Sequence, residues 1–146
     1  MKTEIASLAE KGYIVVATFQ YIEYYEPIPV AAHVDDFRAI ADAGATIVSG
    51  SQAHIPMAME FYENSFIHYG LGNLFFDQMD GPSRREFIDR HIFYDGRYIS
   101  TELVTAMLED FARPRPMRTN ERAEFLERMF GISGWREEVL AEDGEN

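Results

Sequence analysis

The spacing of apolar residues predicts alternating helices and strands over the first fifty positions. Residues 3–11 and 34–43 carry apolar side chains every three or four positions, which predicts two amphipathic helices that each end at a glycine. The continuous apolar runs at 13–19 and 45–49 are typical of short strands buried on both faces. Helix, strand, helix and strand in this order predict a layered α/β fold with parallel strand pairing.

After Pro56 the pattern changes to short strands joined by turns. Asp95-Gly96 lies between two strand-like runs, and this dipeptide is a strong signal for a tight hairpin. The predicted elements are strands at 57–62 and 66–70, a loop over 71–85, strands at 86–94 and 97–107, an extended connector at 113–116, and helices over 120–130 and 133–141. We therefore expect an α/β portion over residues 1–112 and a helical extension with an acidic tail over 113–146.

Composition narrows the class of protein. Hydrophobic residues make up 47% of the 146 positions and charged residues 26%, which is typical of a globular chain. The formal net charge of −12 argues against nucleic acid as a partner, because binding to phosphates needs clustered Lys and Arg. The absence of cysteine excludes disulfides, thiolate metal sites and a cysteine nucleophile.

Polar side chains follow the predicted strands, where layered α/β folds bind their ligands. Gln20 and Glu23 follow the first strand, Gln52 and His54 follow the second, and Asn73 lies in a later polar loop. Each has a structural alternative. The histidine can serve only as a hydrogen-bonded structural residue, the carboxylate can be a solvated loop acid, and the asparagine can bond its own backbone in a turn. Three tyrosines near Glu23 can form an exposed binding patch or pack beneath the loop, and packing is favoured.

The segment from Ile14 to Asp77 resembles the CapA/PgsA family, the bacterial capsule or poly-γ-glutamate synthesis proteins. The family pattern is a strand ending in a His- and Glu-containing run, a helix and strand, a Gly-x-His-Pro-His motif, a Glu, and a Gly-Asn-aromatic motif. The corresponding stretches of this chain are Ala17 to Tyr24, Ala43 to Ala45, Gly50-Ser-Gln-Ala-His54, Glu60, and Tyr69-Gly-Leu-Gly-Asn-Leu-Phe-Phe-Asp77. The resemblance implies the carboxyl-terminal half of a metallophosphatase-type layered α/β sandwich.

This chain departs from the family pattern at metal-ligating positions. Phe19, with Gln20 beside it, stands where the family has a first histidine, and Gln52 stands where the second motif begins its histidines. Only His54 remains as an imidazole ligand. A two-metal centre needs several carboxylates and imidazoles, so we expect a divalent ion (Mn, Zn or Mg) to be weakly held or absent.

Two functions follow from the resemblance. In the first, the chain belongs to a CapA-like protein that makes or releases a cell-surface polymer by metal-assisted hydrolysis or transfer. His54 and Glu23 would then be catalytic, while Gln20, Gln52 and Asn73 would orient water or substrate. In the second, the chain is a non-catalytic module that binds a cell-surface glycan, peptide or protein through its tyrosine-rich loop.

The resemblance also suggests that these residues are one part of a longer protein, exported and anchored outside the cytoplasmic membrane. No targeting segment is visible in the 146 residues, which we expect to be soluble. Alone, they are expected to be inactive and to associate with the amino-terminal half or with a second copy, since absent strands would leave a sheet edge unpaired. The polymer or its precursor is the other expected partner.

Overall fold

The computed structural model describes residues 1–77, 81–110 and 112–135. The helices are α1 (Lys2–Glu10), α2 (Ala31–Asp42) and α3 (Thr119–Ile132), and the strands are β1 (Val16–Tyr24), β2 (Ile47–Ala53), β3 (Met59–Tyr62), β4 (Ser65–His68), β5 (Arg85–Tyr94), β6 (Arg97–Glu109) and β7 (Arg113–Pro116). A short 3-10 turn, Gly81–Arg84, precedes β5. The mixed helix and strand content confirms the predicted α/β class.

Sheet 1 contains four strands in the order β1-β2-β4-β3. β2 runs parallel to both β1 and β4, whereas β3 and β4 form an antiparallel hairpin. The parallel pairing predicted from the alternation of helices and strands is therefore confirmed. Parallel neighbours end at the same edge of a sheet, so the carboxyl ends of β1 and β2 meet.

Both strands that reach this edge differ in extent from the sequence prediction. β1 begins three residues later than predicted and continues through Tyr24, into a segment predicted to be a loop. Its pairing with β2 runs from Val16–Ile47 to Gln20–Ser51, then resumes at Tyr24–Ala53 after an irregularity. Cross-strand hydrogen bonding therefore holds these polar segments in the sheet, although their side chains have no apolar periodicity.

A first hydrophobic core lies between sheet 1 and the helices α1 and α2. Its centre is Phe37 of α2, which is fully buried. Gly50 of β2 permits this close packing, because a Cβ atom there would lie 2.6 Å from Phe37 Cζ and 2.4 Å from the carbonyl oxygen of Tyr69. Helix α2 and sheet 1 therefore approach closely at Gly50, just before the polar residues at the carboxyl end of β2.

Sheet 2 is built on the predicted hairpin. β5 and β6 pair antiparallel from Arg85–Met107 to Tyr94–Arg97, and Asp95 and Gly96 form the turn with φ values of 48° and 70°. Two successive residues with positive φ give the strand-matching twist of a tight hairpin. The Asp-Gly prediction is confirmed.

The predicted connector at 113–116 is wrong, because the Arg113–Pro116 segment is the edge strand β7 and pairs antiparallel with β6. Proline lacks an N–H and is tolerated in a strand at a sheet edge. After β7, α3 contributes to a second core between the two sheets, formed by Ile47, Met59, Phe66, Phe87, Met117, Phe125 and Met129. The domain boundary at 112/113 stays a prediction, and most of the predicted helix 133–141 lies outside the described residues.

Ionisable groups are buried around the start of β5. His68 of β4 is fully buried, and its Nδ1 lies 2.7 Å from Asp89 Oδ2 of β5, which links the two sheets. Glu86 is also fully buried, and neither of its carboxylate oxygens has a hydrogen-bond partner among the described residues. Burial raises the pKa of Glu86 to about 7.

None of the described helices is both long enough and apolar enough to cross a membrane.

We predict that Glu86→Gln removes a pH dependence of stability. Between about pH 4.5 and 7 the folded chain keeps the Glu86 proton while the unfolded chain releases it, so the free energy of unfolding falls as pH rises. The variant should be more stable than the parent protein at pH 8, by about 1–3 kcal/mol, and similar to it at pH 4.5. Urea denaturation at both values measures this.

Glu102→Gln is the matched control, since Glu102 lies on the neighbouring strand β6 with a half-exposed side chain. If the free energy of unfolding changes with pH in the same way in the parent protein and in Glu86→Gln, the prediction is contradicted.

Candidate functional site

The candidate site lies where β1 and β2 end side by side. Gln20 on β1 donates through Nε2 to Gln52 Oε1 on β2, so two of the predicted residues are in direct contact. Gln52 has a φ of 81°, in the left-handed region that non-glycine residues seldom adopt. The main chain then turns, and the N–H of His54 donates to the carbonyl oxygen of Tyr24 at 3.1 Å. Backbone bonding across the strand ends thus places His54 beside β1.

His54 joins three of the predicted residues into one hydrogen-bonded cluster. Its Nε2 lies 2.9 Å from Glu23 Oε1, and its Nδ1 lies 3.1 Å from Asn73 Oδ1. His54 and Asn73 are buried, whereas the Glu23 side chain is 56% exposed. The structure therefore places the five predicted residues in two separate contacts where β1 and β2 end, one between the amides of Gln20 and Gln52 and one centred on the imidazole of His54.

Two aromatic rings enclose the imidazole. The ring of Tyr25 stacks on His54 with centroids 5.0 Å apart and planes 16° apart. The ring of Phe76 packs against His54 at 5.3 Å. The Tyr25 hydroxyl also donates to Glu23 Oε1 at 2.6 Å. One tyrosine thus fixes both the orientation of the ring and the position of the carboxylate.

Hydrogen bonding sets the charge of this cluster. The Tyr25 hydroxyl and the His54 ring together hold the pKa of Glu23 below its usual range, so the carboxylate is ionised at neutral pH. Because a carboxylate only accepts, His54 Nε2 carries a proton. The orientation of the Asn73 amide then decides whether Nδ1 donates, giving an imidazolium, or accepts, giving a neutral ring.

Two residues at family-motif positions lie away from the cluster. Phe19 faces α2, where its ring packs 4.6 Å from the ring of Phe37. Glu60 accepts two hydrogen bonds from Arg38, at 2.6 and 3.0 Å, and a third from the Tyr69 hydroxyl. That carboxylate is committed to joining α2 to sheet 1.

The donor set does not fit a two-metal centre. Among the described residues, no group of three or more His, Asp or Glu side chains is placed to hold a metal ion. The cluster offers one imidazole, one carboxylate and neutral amides, and both imidazole nitrogens are already in hydrogen bonds. A two-metal centre requires more anionic oxygen and imidazole ligands than this.

The sequence prediction includes Tyr25 only as a member of the tyrosine-rich loop and does not include Phe76. It favours packing of the three tyrosines beneath the loop. Tyr21 and Tyr24 do pack against the first core, whereas Tyr25 is 52% exposed and stacks on His54. Tyr25 lies two residues after Glu23, and Phe76 lies three residues after Asn73. Their closeness in sequence to these polar residues is the signal that could have assigned both rings to the site.

Comparisons with known proteins identify relatives of the site-bearing part. The profile of the family described as "Bacterial capsule synthesis protein PGA_cap" matches residues 1–78, just over half of the chain. The "PGA biosynthesis protein CapA" of Bacillus subtilis (strain 168) is 37% identical over 65 residues, 44% of this chain and 17% of that protein. The "Capsule biosynthesis protein CapA" of Bacillus anthracis is 34% identical over 65 residues, 44% of this chain and 16% of that protein. The similarity thus spans about a sixth of the length of these relatives.

We predict that Tyr25→Phe raises the pKa of Glu23 towards its ordinary value. The variant keeps the ring on His54 and removes the hydroxyl that contributes most to the lowered pKa. The Glu23 carboxylate would then lose its charge at a higher pH, and a carboxyl-carbon NMR titration measures this. Tyr24→Phe is the control, because that hydroxyl donates to the carbonyl oxygen of Ile28 instead. An unchanged Glu23 titration in Tyr25→Phe would refute the role of this hydrogen bond.

Proposed function

The chain belongs to the bacterial capsule synthesis family PGA_cap, and on that premise we propose that it is the carboxyl-terminal part of a CapA-like protein acting in capsule or poly-γ-glutamate biosynthesis. A metallophosphatase-type sandwich is the proposed architecture of the longer protein. The supporting observation is that all five predicted site residues fall within the matched segment 1–78. The family similarity and the polar cluster therefore occur in the same part of the molecule.

The chemistry that we propose is hydrolysis or transfer assisted by His54 and Glu23. A histidine held by a carboxylate can take a proton from water or substrate, and the carboxylate stabilises the imidazolium that forms. Glu23 suits this second role because its lowered pKa keeps it anionic. The accepting atom is His54 Nδ1, because Nε2 donates to Glu23, so water or substrate must first replace Asn73 as the partner of Nδ1. Gln20 and Gln52 present amide groups that can orient a substrate.

Any metal contribution is proposed to be small. The donor set does not fit two ions, and a single divalent ion would have to replace Glu23 or Asn73 as the partner of an imidazole nitrogen. We propose that such a site, if it forms, is a degenerate one in which Mn²⁺, Zn²⁺ or Mg²⁺ binds weakly. None of the steps assigned to His54 and Glu23 depends on that ion.

The alternative is a non-catalytic cell-surface binding module on the same fold. The contact between Gln20 and Gln52 favours it, because neutral amides occupy positions where the resembling family has histidines. The exposed ring of Tyr25 at the same edge is also suited to binding. In this case His54 and Glu23 would shape a surface and would not transfer protons.

We also propose that the free edge of β1 pairs with a further strand. β1 lies at the edge of sheet 1, with Val16 and Ile22 about half exposed. A cavity of about 450 Å³ beside it is lined by Met1, Lys2, Phe19, Tyr21, Asp36 and Ile40. The proposed partner is the amino-terminal half of a longer, membrane-anchored extracytoplasmic protein or, in its absence, a second copy. The 146 residues alone are then expected to be inactive.

The catalytic proposal is tested by turnover of a γ-linked glutamate oligomer and of bis(p-nitrophenyl) phosphate. We expect activity in the complete polypeptide that contains these residues, lowered about 100-fold or more by His54→Ala. His91→Ala is the control, since that histidine contacts Thr101 on sheet 2. Calorimetry with Mn²⁺ and Zn²⁺ on the same proteins measures metal binding separately from turnover. If the complete polypeptide turns over neither compound, the non-catalytic alternative is favoured.

Association is tested by size-exclusion chromatography with light scattering. We expect the 146-residue chain to self-associate, and Val16→Lys and Ile22→Lys to weaken this by placing charge at the edge of β1. Tyr94→Lys, at the exposed end of β5, is the control. A monomeric chain that unfolds in one cooperative transition would argue against the proposed pairing.

A further inference from the structure

Exposed aromatic side chains border the candidate site. Tyr25, Phe75 and Phe76 are 52%, 69% and 40% exposed, and two of these rings contact His54 directly. Leu74 adds a further exposed apolar side chain next to Asn73. Large aromatic groups are normally buried on folding, so several of them beside a polar cluster indicate a surface that binds something.

The backbone at Phe75 supports this interpretation. Phe75 has a φ of 57°, in the left-handed region where Asn and Gly are favoured and a bulky side chain is strained. Its ring is mostly exposed and so contributes little to burial of apolar surface. A strained backbone that presents an exposed ring is more readily explained by binding than by folding.

The charge of the surrounding chain restricts the ligand. Between Lys11 and Arg84 the sequence contains one Lys or Arg, Arg38, against nine Asp and Glu residues. Arg38 is bonded to Glu60 and belongs to the contact between α2 and β3. A polyanion would therefore meet uncompensated negative charge here, including that of Glu23.

We infer that this aromatic border binds a neutral saccharide. The C–H faces of a sugar ring pack against aromatic rings, such as the exposed Tyr25 and Phe76 beside His54 and Phe75 next to them in the chain, while its hydroxyl groups bond to amides and carboxylates. Gln20 and Gln52 supply amide donors and acceptors, and Glu23 supplies an acceptor. A purely apolar ligand would make no use of these polar groups. The inference rests on the proposed role in surface-polymer synthesis and, of the two polymers proposed there, selects a capsule saccharide over poly-γ-glutamate as the ligand of this site.

Two neutral probes and one anionic probe test the inference. Cellopentaose, N-acetylchitopentaose and penta-γ-glutamate are titrated into the full chain by calorimetry, and saturation-transfer NMR identifies the sugar protons that lie against aromatic rings. We expect at least one neutral sugar to bind and the anionic peptide to bind at least tenfold more weakly. Phe76→Ala should weaken sugar binding about tenfold, which corresponds to about 1.4 kcal/mol.

Phe75→Asn separates binding from folding. Asparagine tolerates the left-handed backbone, so thermal stability should be unchanged or higher while sugar affinity falls about tenfold. Tyr94→Ala is the matched control, because it removes a 76% exposed aromatic ring from sheet 2 and should leave affinity unchanged.

Four results would overturn the inference. The chain could bind neither neutral sugar, or it could bind penta-γ-glutamate more tightly than both sugars. Sugar affinity could be the same in both phenylalanine variants as in the parent chain, or the chain could bind no sugar but bind phosphatidylcholine vesicles in a way that depends on Phe75. Sugar binding by the unsubstituted chain, together with no turnover by the complete polypeptide, would support the saccharide and contradict the catalytic proposal. The two proposals can therefore fail independently.

Discussion

Parallel pairing of β1 with β2 is the constraint on which the rest of the site depends. The two strands come from segments about thirty residues apart, yet their pairing carries Glu23 and His54 to one edge. A slip of one residue would turn each side chain to the opposite face of the sheet. Phe19 and Gln20 show this alternation, since one packs on α2 and the other contacts Gln52.

The cluster at this edge is held by its own hydrogen bonds. His54 uses both ring nitrogens, Glu23 accepts from two partners, and the Tyr25 and Phe76 rings pack against the imidazole. A substrate or an ion must therefore compete with contacts that already exist, and affinity for it is lowered by the cost of breaking them. The same contacts keep the ring in a single orientation, which favours proton transfer once a substrate is in place.

Much of the fold could be predicted from the sequence because local signals agreed with tertiary packing. Apolar periodicity identified α1 and α2, and Asp95-Gly96 identified the hairpin. The full lengths of β1 and β2 could not be predicted, since strands that reach a polar edge lose their apolar pattern and are extended by cross-strand bonding. For the same reason the grouping of site residues was predictable from their positions after the strands, whereas the stacking of Tyr25 was not.

The two sheets differ in the separation of their paired segments along the chain. β5 and β6 join across the two-residue turn Asp95-Gly96, whereas β1 and β2 must enclose the whole of α2 between them. Closing a short loop costs less entropy than closing a long one, and contacts between nearby residues form faster. The hairpin is therefore expected to assemble early in folding, and the paired ends that carry His54 late.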